Sequence, residues 1–186
     1  MVTQAKPHVF TVADYHRMGE AGILDADSRV ELIEGEIVDM PPMVDGHRSV
    51  VIQLNDLLVR LLHRKAVISP QCSVRLSDIS EPEPDFAVLR WRDDAYARKT
   101  PLPEDILLLI EVSDTTLAYD RDRKASFYAR AGVPEYWIVD VGGRSIIVFR
   151  EPTEAGYSSV TTIAASQRVS PQAFHELTVS PSDIVL

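Results

Sequence analysis

Two stretches decide the fold: Pro84-Asp85-Phe86-Ala87-Val88-Leu89 and Ile106-Leu107-Leu108-Leu109-Ile110-Glu111-Val112. Each is an apolar run bounded by proline-rich turns, the pattern of a strand buried on both faces. Each also carries one carboxylate, Asp85 in the first and Glu111 in the second. An isolated carboxylate in such a place costs several kcal/mol, on the order of the penalty for burying an unpaired charge, unless a cation or a hydrogen-bond network compensates it. Downstream, Ser113-Asp114-Thr115-Thr116 has the composition of a helix start, followed by Asp120, Lys124 and Tyr128. Their successive i+4 spacing places all three along one helix face.

Working outward, Glu81-Pro82-Glu83-Pro84 is a stiff turn that fixes the approach to Asp85. Val67-Ile68-Ser69 and Ser73-Val74-Arg75-Leu76 read as two short strands broken by Pro70. Val50, Val51, Leu54, Leu57, Leu58, Leu61 and Leu62 recur at helical spacing, so 46–65 reads as a long helix with His47 in its first turn. There the histidine either makes a local hydrogen bond or meets a phosphate at the free backbone N–H groups. Thr11-Val12-Ala13-Asp14 has the form of a capping box opening a short helix to Gly22. Val30 to Met40 reads as a hairpin around Glu34-Gly35, with Glu31, Glu34, Glu36 and Asp39 expected to be mostly solvated. Between the two central strands, Trp91 is expected to pack. After the Asp120 helix, Gly132-Val133-Pro134 is a stop, Glu135 to Asp140 a strand, and Gly142-Gly143 a two-residue hairpin signal leading to Ser145 to Phe149. Tyr157 to Ile163 adds a strand before an extended, irregular tail.

A chain of 186 residues with 45% apolar and 25% charged residues suits a single domain. With one cysteine, Cys72, it forms no internal disulfide. Met1 to Pro7 lacks a signal-peptide core and no apolar run approaches the ~20 residues of a membrane span, so a cytoplasmic location is expected. The net charge of -9 argues against non-specific coating of nucleic acid. Arg121, Arg123, Lys124 and Arg130 nevertheless leave room for a local basic surface.

On spacing alone the favoured reading is of Asp85 and Glu111 as ordinary strand-end carboxylates, and of Asp120 with Lys124 as a helix-surface pair worth a few tenths of a kcal/mol. The alternative is a metal-dependent phosphodiesterase site, in which two carboxylates and a substrate phosphate supply hard oxygen ligands to magnesium or manganese and a lysine serves the attacking water.

In combination, Pro84-Asp85 followed by Glu111-Val112-Ser113 resembles the signature of the PD-(D/E)XK nuclease superfamily, the restriction-endonuclease-like fold. More narrowly, the chain resembles a widespread bacterial family of restriction-endonuclease-like proteins. Glu31, Gly35, His47, Asp85, Glu111, Ser113, Asp120, Lys124, Tyr128 and Gly132 to Asp140 carry the likeness, over roughly residues 8–150. One departure is that Ser113 stands where the superfamily has its lysine; Lys124, on the following helix, is the matching position.

The resemblance implies an α/β (α+β) domain spanning 1–186: a mixed central sheet flanked by helices, an N-terminal hairpin, and C-terminal strands with an extended tail over 151–186. It implies Mg2+ or Mn2+ on Asp85 and Glu111, catalytic residues Asp85, Glu111, Lys124 and Glu31 (with Glu34 the other candidate early acid), and support from His47, Ser113, Asp120 and Tyr128. It implies an endonuclease acting on nucleic acid, DNA above RNA, with a homodimer pairing through the Tyr136 to Phe149 hairpin. A dimeric nuclease-fold protein that binds or scaffolds without catalysis is the first alternative, and metal-dependent hydrolysis of a smaller phosphodiester the second.

Overall fold

The computed structural model describes residues 6–25 and 27–184. Six strands form one mixed sheet in the order β3 (Ala66–Pro70), β4 (Phe86–Arg90), β5 (Ile106–Ser113), β6 (Glu135–Asp140), β7 (Ser145–Thr153) and β8 (Gly156–Ile163). Every neighbouring pair is antiparallel except β5 and β6. A parallel pair requires a crossover, and residues 117–130 provide it as a helix laid on one face of the sheet. That helix has three parts: α3 (Leu117–Tyr119), a π-helical turn (Asp120–Lys124) and α4 (Ala125–Arg130). The long helix α2 (Asp45–Leu61) covers the other face.

Alternation along the strands sorts the core into two layers. Phe86, Val88, Leu108, Ile110 and Val112 pack with Val50, Leu54 and Leu58 of α2. Ala87, Leu89 and Leu109 pack with Ala125, Phe127 and Tyr128 of α4 and with Ile33 of the N-terminal hairpin. Asp85 precedes Phe86 and Glu111 follows Ile110, and Phe86 and Ile110 face each other in register. Continuing that register sets the two acids opposite each other, on the face of the crossover helix.

The hairpin β1 (Val30–Ile33) and β2 (Glu36–Asp39) forms a separate two-stranded sheet. Its two-residue turn has positive φ at Glu34 (51°) and Gly35 (78°), as a type I′ turn requires. A Cβ at Gly35 would also lie 2.1 Å from Val9 Cγ1, so the close approach of the N-terminal segment demands glycine there. The first helix, α1 (Val12–Glu20), opens with the expected capping box between Thr11 and Asp14.

Several expectations change. Residues 73–76 form no strand: Val74, Arg75 and Leu76 donate their N–H groups to three separate carbonyls, of Pro82, Pro101 and Ser80, rather than to a ladder. Pro70 does not break β3 but ends it, as an edge strand tolerates. The Gly142-Gly143 connection is a four-residue turn over 141–144, because Asp140 pairs with Ser145. Trp91 is 46% exposed, its indole N–H turned to Asp93, and Tyr96 is the buried aromatic of that loop. The hairpin of β6 and β7 is no free edge, because β5 and β8 occupy its two sides; any sheet-to-sheet pairing of two copies would use β3 or β8.

The C-terminal segment contributes Val169, Val179 and Ile184 to the α2 layer. Glu135, fully buried, holds it there by accepting from the Gln172 N–H, the Trp137 indole and Arg150. Among the described residues no helix is long and apolar enough to cross a membrane. The reading of the N-terminus falls mostly on residues 1–5, outside the described residues.

Candidate active site

At the end of the sheet where the N-terminus of α2 meets the crossover helix lies a cleft of about 240 Å³. Glu31, His47, Asp85, Glu111, Asp120 and Lys124 all line it. Glu111 forms the floor and is 5% exposed. Its Oε1 accepts from Lys124 Nζ at 2.9 Å and from the Tyr128 hydroxyl at 2.8 Å, while among the described residues Oε2 has only a long contact, 3.4 Å, with the Asp85 N–H. Asp85 shows the same division. Its Oδ2 accepts from the Val112 N–H at 2.8 Å and meets His47 Nε2 at 3.0 Å, while among the described residues Oδ1 has only Gln71 at 3.5 Å. Each carboxylate therefore has one saturated oxygen and one nearly free.

The π turn shapes the helix side of the cleft. The Asp120 carbonyl accepts from the N–H of Ala125, five residues on, and from the Tyr136 hydroxyl at 3.3 Å. Asp120 itself is buried, and its Oδ2 accepts from the hydroxyls of Ser113 and Thr116. Ser113 thus serves the site by fixing the first turn of the crossover helix. Lys124, 7% exposed, points back at the sheet and lies 3.4 Å from Glu31 Oε1. Glu31 is itself buried and accepts the Glu83 N–H.

Charge in the cleft is set by burial and proximity. Burial pushes the Glu111 carboxyl up, with Lys124 pulling the other way. Burial lowers the Lys124 ammonium, but Glu111, Glu31 and Asp120 outweigh it and hold the group above its ordinary value. The hydrogen bond to Asp85 raises His47 against its burial. Glu83 is raised by burial, with Arg29 opposing.

A model of the Uma2 family, described as "Putative restriction endonuclease", matches residues 12–182. The chain belongs to this family. Its fold is that of a solved structure described as "a putative nuclease" from Anabaena variabilis, with a TM-score of 0.71 at 16% identity, covering 94% of this chain and 97% of that one. No curated protein matches. Family and fold agree with the restriction-endonuclease-like resemblance in the sequence.

In this Uma2 chain, all eight residues singled out in the sequence come together: Asp85, Glu111, Lys124, Glu31, His47 and Asp120 line the cleft, while Tyr128 and Ser113 stand directly behind it. Of the two candidate early acids, Glu31 faces Lys124, whereas Glu34 sits in the exposed turn and pairs with Arg130. Glu31 thereby departs from its expected solvation. The local basic surface is neutralised: Arg121 pairs with Asp122, Arg123 with Glu36, Arg130 with Glu34, and Lys124 is buried.

Sequence reasoning missed Arg29, Gln71, Glu83 and Tyr119, which also line the Uma2 cleft. Only the alternating acids of Glu81-Pro82-Glu83-Pro84 hinted at one of them.

Among the described residues no three His, Cys, Asp or Glu side chains form a metal cage. Magnesium needs none, since one or two carboxylates plus waters and substrate phosphate complete its shell. Two hard, nearly free carboxylate oxygens in an acid-lined cleft suit such an ion.

Proposed function

We propose that this chain is a metal-dependent endonuclease that hydrolyses phosphodiester bonds in nucleic acid, with DNA the substrate by family analogy. The observation that carries the reading is the division of labour at Asp85 and Glu111: one oxygen of each is tied to the protein and the other is left for a ligand. Asp85 Oδ1 and Glu111 Oε2 would hold Mg2+ or Mn2+. The ion would supply Lewis acidity towards water and the phosphodiester.

The chain's own groups do the rest. Lys124 stays protonated, so it acts as a donor that orients the attacking water and offsets charge growing on the phosphate, and not as a base. Glu31 is the second carboxylate beside the ammonium, and Tyr128 fixes the Glu111 oxygen that Lys124 shares. His47 and the Val112 N–H hold the Asp85 rotamer. Thr116, Ser113 and Asp120 set the helix register that aims Lys124.

The test is metal-supplemented cleavage by the parent, Asp85→Ala and Lys124→Ala chains. Loss of turnover in both variants, with the fold retained by circular dichroism, is expected; equal activity in all three would dispose of the reading. A second reading, a nuclease-fold module that binds without cutting, is favoured by the net charge of -9 and by the pairing of every arginine on the crossover helix. It predicts no affinity for Mg2+ or Mn2+, which calorimetry measures directly.

A further inference from the structure

We propose that the cleft admits one strand of nucleic acid with its bases unpaired, that Arg29 holds a backbone phosphate there, and that Tyr119 and the Met40 to Val44 wall receive a base. The inference rests on the nuclease reading and names its substrate class.

Size is the first argument. At about 240 Å³ the cleft falls just under the ~300–1,000 Å³ range of pockets that take small molecules, which is room for about one nucleotide unit inside it. Charge is the second. A protein that tracks duplex backbones presents several free cations, and here the arginines of the crossover helix are all committed to carboxylates. Among the described residues the arginine and lysine side chains that line the cleft are Arg29 and Lys124; Lys124 is locked between Glu111 and Glu31, and the third basic side chain there, His47, is held by Asp85. Among the described residues Arg29 pairs with no carboxylate. It is exposed, and its NH1 donates to the Pro41 carbonyl at 3.1 Å, which leaves the remaining N–H groups of its fork for a phosphate.

Surface chemistry is the third. Met40, Pro41, Pro42, Met43 and Val44 make one wall apolar, and Val44 is 44% exposed. Tyr119 also lines the cleft, and its hydroxyl has no partner among the described residues. An aromatic ring and an apolar wall beside a single guanidinium match a strand whose bases are free to stack, since every base has a π-face that an aromatic side chain can take. A duplex keeps its base faces covered and gains nothing from them.

The experiment is fluorescence-anisotropy titration of the full chain with labelled single strands, DNA and RNA in separate arms, and with the matching DNA duplex. Ca2+, another oxygen-seeking ion, replaces Mg2+ during binding, and cleavage is followed in parallel with Mg2+. Single strands are expected to bind about tenfold or more tighter than duplex, the increment of one good stacking contact. Arg29→Ala should weaken that binding and flatten its salt dependence by about 0.7, the slope of one lost single-strand phosphate contact, while Arg29→Lys keeps the slope. Tyr119→Ala should cost about tenfold with the slope unchanged.

Equal or tighter duplex binding, or an Arg29→Ala chain with the parent's affinity and slope, overturns the proposal; duplex cleavage in the same experiment would leave the nuclease reading intact. Selective, Arg29-dependent single-strand binding without cleavage supports the proposal and overturns the nuclease reading instead. Binding of neither form overturns the proposal, and cleavage of neither form overturns the nuclease reading.

Discussion

Lys124 is where burial, charge and chemistry meet. Its ammonium is nearly inaccessible and lies between two buried carboxylates, so replacing it with methionine leaves Glu111 and Glu31 without their cation. Breaking such a pair from one side costs ~3–5 kcal/mol, which chemical denaturation will show as a lowered midpoint with an unchanged slope. Adding Glu111→Gln removes one stranded charge, so the double variant should recover part of the loss, and a double variant no more stable than Lys124→Met would contradict the pairing. The sequence offered Lys124 through its spacing from Asp120 and Tyr128. It could not offer Arg29 or Tyr119, because their place in the cleft depends on how the hairpin and the crossover helix are brought together. For the same reason the hairpin pattern alone does not single out Glu31, and the family resemblance is what points to it. It belongs to an alternating acidic hairpin, and only the packing of that hairpin against Glu83 and Lys124 distinguishes it from its exposed neighbours.

At the scale of elements, apolar runs and turn residues are read locally, so β4, β5, β6, the β1–β2 hairpin and α2 were all legible. The π turn was not, since it answers to contacts at a distance: Tyr136 on the sheet and the hydroxyls of Ser113 and Thr116 hold Asp120 where the helix widens. Ser113→Ala with Thr116→Val therefore strips both hydroxyl donors from a buried carboxylate. Turnover is expected to fall by at least tenfold, about 1.4 kcal/mol of transition-state stabilisation, with the overall fold retained. Helix α1 gives a pH signature. Hydrogen bonds from Thr11 hold Asp14 at about 2, below its ordinary 3.8, so the native state favours the ionised form. The capping contribution is complete above about pH 4 and is lost as pH falls towards 2. Thr11→Val, lacking the hydroxyl, should show a smaller loss of thermal stability over that acid window than the parent does.

For the whole molecule, the sheet order explains both what was foreseen and what was not. The mixed sheet is what the family resemblance implied, whereas the covering of both sides of the β6–β7 hairpin needs β5 on one side and β8 on the other, and the β5 pairing is specified by no local pattern. The C-terminal segment depends on Glu135, the buried anchor shared by Arg150, Trp137 and Gln172. Glu135→Ala strands Arg150 and should destabilise the chain by ~3–5 kcal/mol, with limited proteolysis shifting to residues 164–184. The central claim is that Asp85 and Glu111 offer their unsatisfied oxygens to one hard cation. The direct measurement is the anomalous difference density of a manganese-soaked crystal. A peak between Asp85 Oδ1 and Glu111 Oε2, absent from Glu111→Gln crystals, is the predicted result; manganese bound elsewhere, or a peak that survives the substitution, would contradict it.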